Sequence, residues 1–208
     1  MKLLKDMDKK VIICIGRQMG SGGKEVAELL GKRLGVQVFD HELLVEAARE
    51  SGISPELFEK ADEQAKRKSG YLGGNLFSSG SHSGFFSNDR LFKMQSDVIR
   101  SIAEKQSAIF VGRCADYILR DMEGVYSVFI TANRTDRIAR IASRRSLSEK
   151  EAEACIDQTD RKRSSYYGYY SFQTWGAAES YDLCINSSLL GTEGTAEEII
   201  SFVDKCNK

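Results

Sequence analysis

From Val11 to Ile15 the chain is apolar at every position and mostly β-branched, and it stops at Gly16. A strand buried on both faces reads this way, because neither face calls for a polar side chain. Beyond a glycine-rich stretch the spacing turns helical: Val26, Leu29, Leu30 and Leu34 share one stripe, and Gly35 stands where a helix end adopts the left-handed conformation. The opening unit is therefore strand, loop, helix. Ser107 to Val111 and Tyr126 to Thr131 read as further strands, each ahead of a charged stretch, and Tyr181 to Asn186 reads as a fourth. Ser148 with Glu151 forms a capping box that opens a helix through about Ser165. Thr195 with Glu198 forms a second box, ahead of the stripe Ala196, Ile199, Ile200 and Val203, and Pro55 after Ser54 marks another helix start.

Strands alternating with helices predict a three-layer α/β/α fold around a mostly parallel sheet, whose ligands sit beyond the carboxyl ends of the strands. Both Gly20 to Lys24 and Gly112-Arg113 fall at such ends. With 208 residues, 41% of them hydrophobic, one core spanning 1–208 is the expectation. Within it, the glycine- and serine-rich stretch from about Lys68 to Asp89 holds few branched apolar residues and reads as a mobile insertion. A substrate flap and an idle loop explain it equally well.

Charge narrows the choice of partners. The 30 basic and 30 acidic side chains cancel, so no global field draws the chain to nucleic acid or to an anionic membrane. Any anion site must come from local clustering. Nothing approaches the roughly 20 apolar residues of a membrane span, and Met1 to Lys10 lacks the apolar heart of a secretory signal. A cytoplasmic location is expected. Cys14, Cys114, Cys155, Cys184 and Cys206 are scattered, without a CxxC pair, and read as small buried residues in a reducing compartment. No metal ligands are assigned.

The densest chemistry lies in the segment GRQMGSGGKEV. Gly20, Gly22 and Gly23 allow the backbone to fold so tightly that several amides aim at one point, to which the following helix adds its positive end. That geometry suits a phosphate better than a plain turn. Compared with GxxxxGK[ST], a lysine placed at Lys24 calls for glycine at Gln18 and a hydroxyl at Glu25, and neither is present. The other register puts Gly23 where the lysine belongs and Lys24 where the magnesium-binding hydroxyl belongs. Either way that hydroxyl is missing, though Ser21 lies close in sequence, and the register stays open. Arg134, Arg137, Arg140, Arg144 and Arg145, followed by Arg161, Lys162 and Arg163, form local cationic clusters. A solvated helix face explains any one of them as well as phosphate binding does. Arg113, at a strand end, has no such plain explanation. Core packing accounts for most of Tyr166, Tyr167, Tyr169, Tyr170, Phe172 and Trp175.

With these residues on the page, the stretch VIICIGRQMGSGGKEVAELLGKRLGVQVFD resembles the first strand, phosphate loop, helix and second strand of a cytidylate kinase. The likeness continues through VGR at 111–113, FITA at 129–132, the pair Asp160 and Arg163, and SYDLCINSS near the end. It covers about Lys10 to Val203 apart from the insertion, and the loop GSGGK is similar to that of the cytidylate kinase-like group. The resemblance implies a P-loop nucleoside monophosphate kinase fold with a short lid near 143–148. It implies ATP and Mg2+ as cofactors and CMP or a related pyrimidine monophosphate as acceptor. Gly20, Ser21, Gly22, Gly23 and Lys24 would cradle the donor phosphates. Lys24, Arg113, Arg144 and Arg145 would carry catalysis, and Asp40, Arg113, Arg137, Asp160 and Arg163 would hold the acceptor. Phosphoryl transfer needs charge neutralisation and alignment more than acid or base chemistry, so His41 and His82 are given no part. Two other readings stand beside this one. The altered loop would suit a module that binds nucleotide or another phosphorylated ligand without turnover, or a kinase of a different small acceptor.

Overall fold

The computed structural model describes residues 10–50 and 82–207. Its centre is β1 (Ile12–Arg17), from which the chain passes into α1 (Gly23–Leu34), β2 (Gln37–Phe39) and α2 (His41–Glu50). After residues 51–81 come α3 (His82–Lys105), β3 (Ala108–Val111), the short α4 (Ala115–Ile118) and β4 (Val125–Thr131). The hairpin α5 (Arg134–Arg145) and α6 (Glu149–Ser171) follows, then β5 (Leu183–Asn186) and α7 (Ser187–Cys206).

The strands lie in the order β2-β3-β1-β4-β5, and every pairing is parallel. The central strand shows why its sequence is apolar throughout. Successive side chains of a strand face opposite ways. Ile13 and Ile15 join Val26, Leu30, Ile199 and Val203 in one core, between the sheet and the layer of α1 and α7. Ile12 and Cys14 join Leu44, Met94, Ile99 and Phe110 in the other, beneath α2, α3 and α4. Strand β3 divides the same way, with Ile109 and Val111 in the first core and Ala108 and Phe110 in the second. The expected three-layer, parallel α/β/α architecture is what the chain adopts.

Several elements depart from their expected limits. The Ser148 and Glu151 capping box is present, with the Glu151 amide donating to Ser148 Oγ at 3.3 Å and the Ser148 amide donating to Glu151 Oε2 at 2.9 Å. The helix it opens runs on to Ser171, however, and ends at Phe172 in a left-handed conformation. Thr195 is no cap. The last helix starts at Ser187, where Asn186 Oδ1 accepts from the Ser188 amide, and it kinks at Gly191. The buried Thr195 hydroxyl donates back to the Gly191 carbonyl at 2.6 Å, inside the helix. Helix α3 takes in the end of the glycine- and serine-rich stretch from His82 onward. The rest of that stretch, and the helix start expected at Ser54-Pro55, lie outside the described residues. Cys14 and Cys114 are buried as expected, whereas Cys184 and Cys206 are exposed, and all five thiols are free. Among the described residues no helix is long and apolar enough to cross a membrane.

Candidate phosphate-binding site

In this sheet the chain turns outward in both directions from β1, so the crevice beyond its carboxyl end is the expected ligand position. The loop Gln18–Gly22 fills that point. Gly20 and Gly22 both have φ +79°, a backbone conformation that side chains with a Cβ resist, and α1 starts directly after Gly22.

Carbonyls and amides of this loop are treated differently. Arg163 Nη1 donates to the Arg17 carbonyl at 3.0 Å, and Ser21 donates to the Gln18 carbonyl through its hydroxyl at 2.9 Å and its amide at 3.3 Å. Arg137 Nε donates to the Met19 carbonyl at 2.7 Å, and Arg140 Nη1 donates to that of Gly20. Ser187 Oγ donates to the Ser21 carbonyl at 2.6 Å, and the Val26 amide donates to that of Gly22 at 3.0 Å. Every carbonyl from Arg17 to Gly22 is thus held by the scaffold. Among the described residues the amides of Gly20, Gly22, Gly23 and Lys24 have no acceptor. A run of unpaired donors at the start of a helix is a site for an anion.

Asp160 and Arg137 close this loop rather than stand apart from it. Asp160 Oδ1 accepts from the Met19 amide at 2.7 Å, and Oδ2 is ion-paired with Arg137, whose Nε holds the carbonyl of the same residue. Both partners are largely withdrawn from water, with side-chain exposures of 6% for Arg137 and 17% for Asp160. These two residues, which the resemblance names as acceptor ligands, grip Met19 from both sides. Their separation in sequence, and the surface-like look of an arginine-rich helix, hid that role.

The other expected residues divide. Arg113 follows Gly112, and the three residues Gly112, Arg113 and Cys114 all have positive φ, of 78°, 61° and 55°. For a non-glycine residue this costs about 1–2 kcal/mol, and such backbone strain gathers at ligand sites. It sets the Arg113 guanidinium 5.6 Å above the Tyr166 ring. Arg163, from α6, lies against Arg17, and burial first, then Arg137 and Arg113, lower its pKa in spite of Asp160. Lys24 Nζ reaches Asp40 Oδ2 at 3.1 Å and remains 65% exposed. That bond raises the lysine's pKa. Burial of Asp40 works against ionisation, but the Leu43 amide and Lys24 outweigh it, and its pKa is lowered. Asp40 also caps α2, with Oδ1 accepting from the Glu42 and Leu43 amides at 3.1 and 3.3 Å.

Arg144 is ion-paired with Glu25 in the first turn of α1, and Arg145 Nη1 contacts Cys155 Sγ at 3.1 Å on α6. The stretch 143–148, where a lid is expected, comprises the end of α5 at Arg145 and a turn over 146–148 that joins two packed helices, with Leu147 against Ile141 and Ile156. Ser21 is fully buried and hydrogen-bonded to its own loop, so its hydroxyl is not turned towards a metal. His41 lies beside Gln95, and burial followed by the Arg113 charge holds it down at about 4, so the ring is neutral near pH 7. Most of the aromatic run packs inward, with Tyr167 and Tyr181 around Phe129, although Phe172 is exposed.

Arg17 went unread in the sequence. It ends β1 half-buried, and among the described residues it has no ion-pair partner. Arg17, Arg113 and Arg163 together form a cationic group at the carboxyl edge of the sheet, free of ion pairs among the described residues.

Comparison with known proteins agrees with this geometry. The profile of the cytidylate kinase-like family matches residues 12–189. A cytidylate kinase of Desulfurococcus amylolyticus is 29% identical over 114 residues, which cover 53% of this chain and 59% of that protein. The match thus spans less than two thirds of that relative's length. An uncharacterized protein from Eubacterium ventriosum has a similar structure, with TM-score 0.72 and 26% identity over 94% of this chain and 99% of that one. Two further structures share the fold. Shikimate kinase from Acinetobacter baumannii, in complex with shikimate, has TM-score 0.54 and 14% identity, covering 97% of each chain. A gluconokinase from Sinorhizobium meliloti has TM-score 0.53 and 12% identity, over 96% of this chain and 95% of that one. A P-loop kinase fold and a profile match over residues 12–189, most of its length, place this chain in the cytidylate kinase-like family.

Proposed function

We propose that this protein is a cytoplasmic nucleoside monophosphate kinase that transfers the γ-phosphoryl group of ATP to CMP or a related pyrimidine nucleotide. One observation carries the reading: the carbonyls of the loop are all tied down while the amides of Gly20, Gly22, Gly23 and Lys24 are left without acceptors. These amides hold the donor phosphates. Arg113 and Arg163 hold the acceptor phosphate, whose forked geometry two guanidiniums match. Asp40 positions Lys24 at the rim of the site, and Glu25 holds Arg144 at the mouth of the loop.

In the reaction an oxygen of the acceptor phosphate attacks the γ-phosphorus, and the bond from phosphorus to the bridging oxygen breaks towards ADP. The attacking oxygen is already ionised, so no general base is needed; the protein aligns the two phosphates and neutralises them. Bound ATP would carry Mg2+, which would neutralise charge on its phosphates; on the protein side, Glu25 and Asp40 are engaged by Arg144 and Lys24.

A second reading, a kinase of a different small acceptor, draws on the closure of Asp160 and Arg137 around Met19, which engages two of the residues expected to hold the acceptor. One assay separates the two. Purified protein with ATP and magnesium is offered a panel of nucleoside monophosphates and non-nucleotide alcohols, and products are resolved by ion-exchange chromatography. Diphosphate formation fastest with a pyrimidine, and about 10²-fold slower in Arg113→Ala, is the expected result. Turnover confined to a non-nucleotide acceptor selects the second reading, and none with any acceptor removes both.

A further inference from the structure

The loop presents a problem of charge. A phosphate loop ordinarily sets a lysine directly after its last glycine, reaching the β- and γ-phosphates. Here Lys24 is two-thirds exposed and held by Asp40, and the residue directly after Gly22 is another glycine.

The surroundings of Gly23 explain why. A Cβ built there would lie 2.6 Å from Arg17 Cβ and 2.9 Å from Arg17 Cγ, so the room for a side chain at 23 is already filled by the stem of Arg17. The same arginine then crosses to β3, where its guanidinium lies so close to Gly112 that a Cβ on that glycine would collide with it. Arg17 thus runs from the phosphate loop to the residue before Arg113, over the carboxyl ends of two strands paired side by side. The sequence agrees with this exchange. With Gly22 taken as the motif's last glycine, GxxxxGK maps onto Arg17–Gly23: a cation stands at the first glycine position and a glycine at the lysine position.

We infer that Arg17 supplies the cation of this phosphate loop, lying between donor and acceptor phosphates in place of the missing lysine, and that Gly23 and Gly112 lack side chains to let it through. The inference rests on the phosphate-loop reading above. It accounts for a guanidinium lodged beside two other arginines with no ion-pair partner among the described residues. Burial, then Arg163 and Arg113, pull Arg17 down to about 9 against the opposing pull of Asp40. Arginine keeps its proton in proteins, so the group stays cationic near pH 7.

The test compares wild type, Arg17→Ala, Lys24→Ala, Gly23→Lys and the double variant Arg17→Ala/Gly23→Lys. Calorimetry reads ATP and tripolyphosphate binding, initial rates read transfer, and thermal melts report folding. Arg17→Ala should weaken ATP binding at least about tenfold and slow transfer about 10²-fold, with a smaller loss for Lys24→Ala. Gly23→Lys should fail in the presence of Arg17, because the two side chains need the same space. Removing Arg17 from that background should restore binding to well above that of Arg17→Ala, even if each single variant melts at lower temperature. A larger loss from Lys24→Ala than from Arg17→Ala overturns the inference, and so does a double variant no better than Arg17→Ala. Arg17-dependent binding without transfer to any acceptor would sustain the inference and remove the proposed kinase function. Transfer indifferent to Arg17→Ala would do the reverse, and a wild type that binds neither ATP nor tripolyphosphate removes both.

Discussion

Asp160→Ala is expected to destabilise the folded protein by about 3–5 kcal/mol, because it leaves the buried Arg137 charge without its partner. The Met19 amide loses its acceptor in the same step. Arg137 cannot turn out to water, since its Nε is bonded to the Met19 carbonyl and its side chain is only 6% exposed. Replacing the pair together, as Arg137→Met with Asp160→Leu, should cost less than Asp160→Ala alone, because two neutral side chains of similar bulk carry no desolvation penalty. The double variant still loses its hold on the loop, so it should fold and yet bind ATP poorly. Urea unfolding of the three proteins measures this. A change within about 0.5 kcal/mol for Asp160→Ala, the range of an ordinary surface substitution, would show that the pair does not hold the loop.

The second large effect is expected from Gly20→Ala. Alanine resists the φ of +79° found there, and its Cβ would lie 2.8 Å from the carbonyl oxygen of Arg137 and 3.1 Å from that residue's Cα. Both are backbone atoms of α5, so neither can swing aside as a flexible side chain would. The loop must move. Several amides then leave their common point together, and with each well-placed donor contributing about 10²–10³ in rate, transfer should fall by about 10³-fold. Melting temperature should change far less than activity, because the two cores below the loop are untouched. ATP binding and rate assays with a parallel melt check this. A variant with intact binding and rate would mean that the bend at Gly20 does not shape the site.

The sequence carried most of the scaffold, for reasons the structure makes plain. Continuous apolar strands are a consequence of burial on both faces, so β1, β3 and β4 were readable from their own residues, as were α1 with Gly35 and the cap at Ser148. The tight bend after β1 was equally readable, because Gly20 and Gly22 are needed for backbone geometry that no distant residue can replace. What stayed hidden depended on tertiary partners. Arg137 reads as one arginine of a charged helix until Asp160 and Met19 close around it. The cap expected at Thr195 failed because α7 starts at the strand end, capped by Asn186, and only bends at Gly191. Arg17 carried no signal of its own in the sequence, because its reach across Gly23 and Gly112 joins three positions that share no local pattern.

The most direct measurement of the central claim is a titration of 15N-labelled protein with ATP or tripolyphosphate, followed through the amide resonances of residues 18–26. Gly20, Gly22, Gly23 and Lys24 should show the largest downfield shifts as their N–H groups take up phosphate oxygens. Ser21 should shift less, its amide being already bonded to the Gln18 carbonyl. Saturable ATP binding that leaves these four amides unmoved would contradict the account.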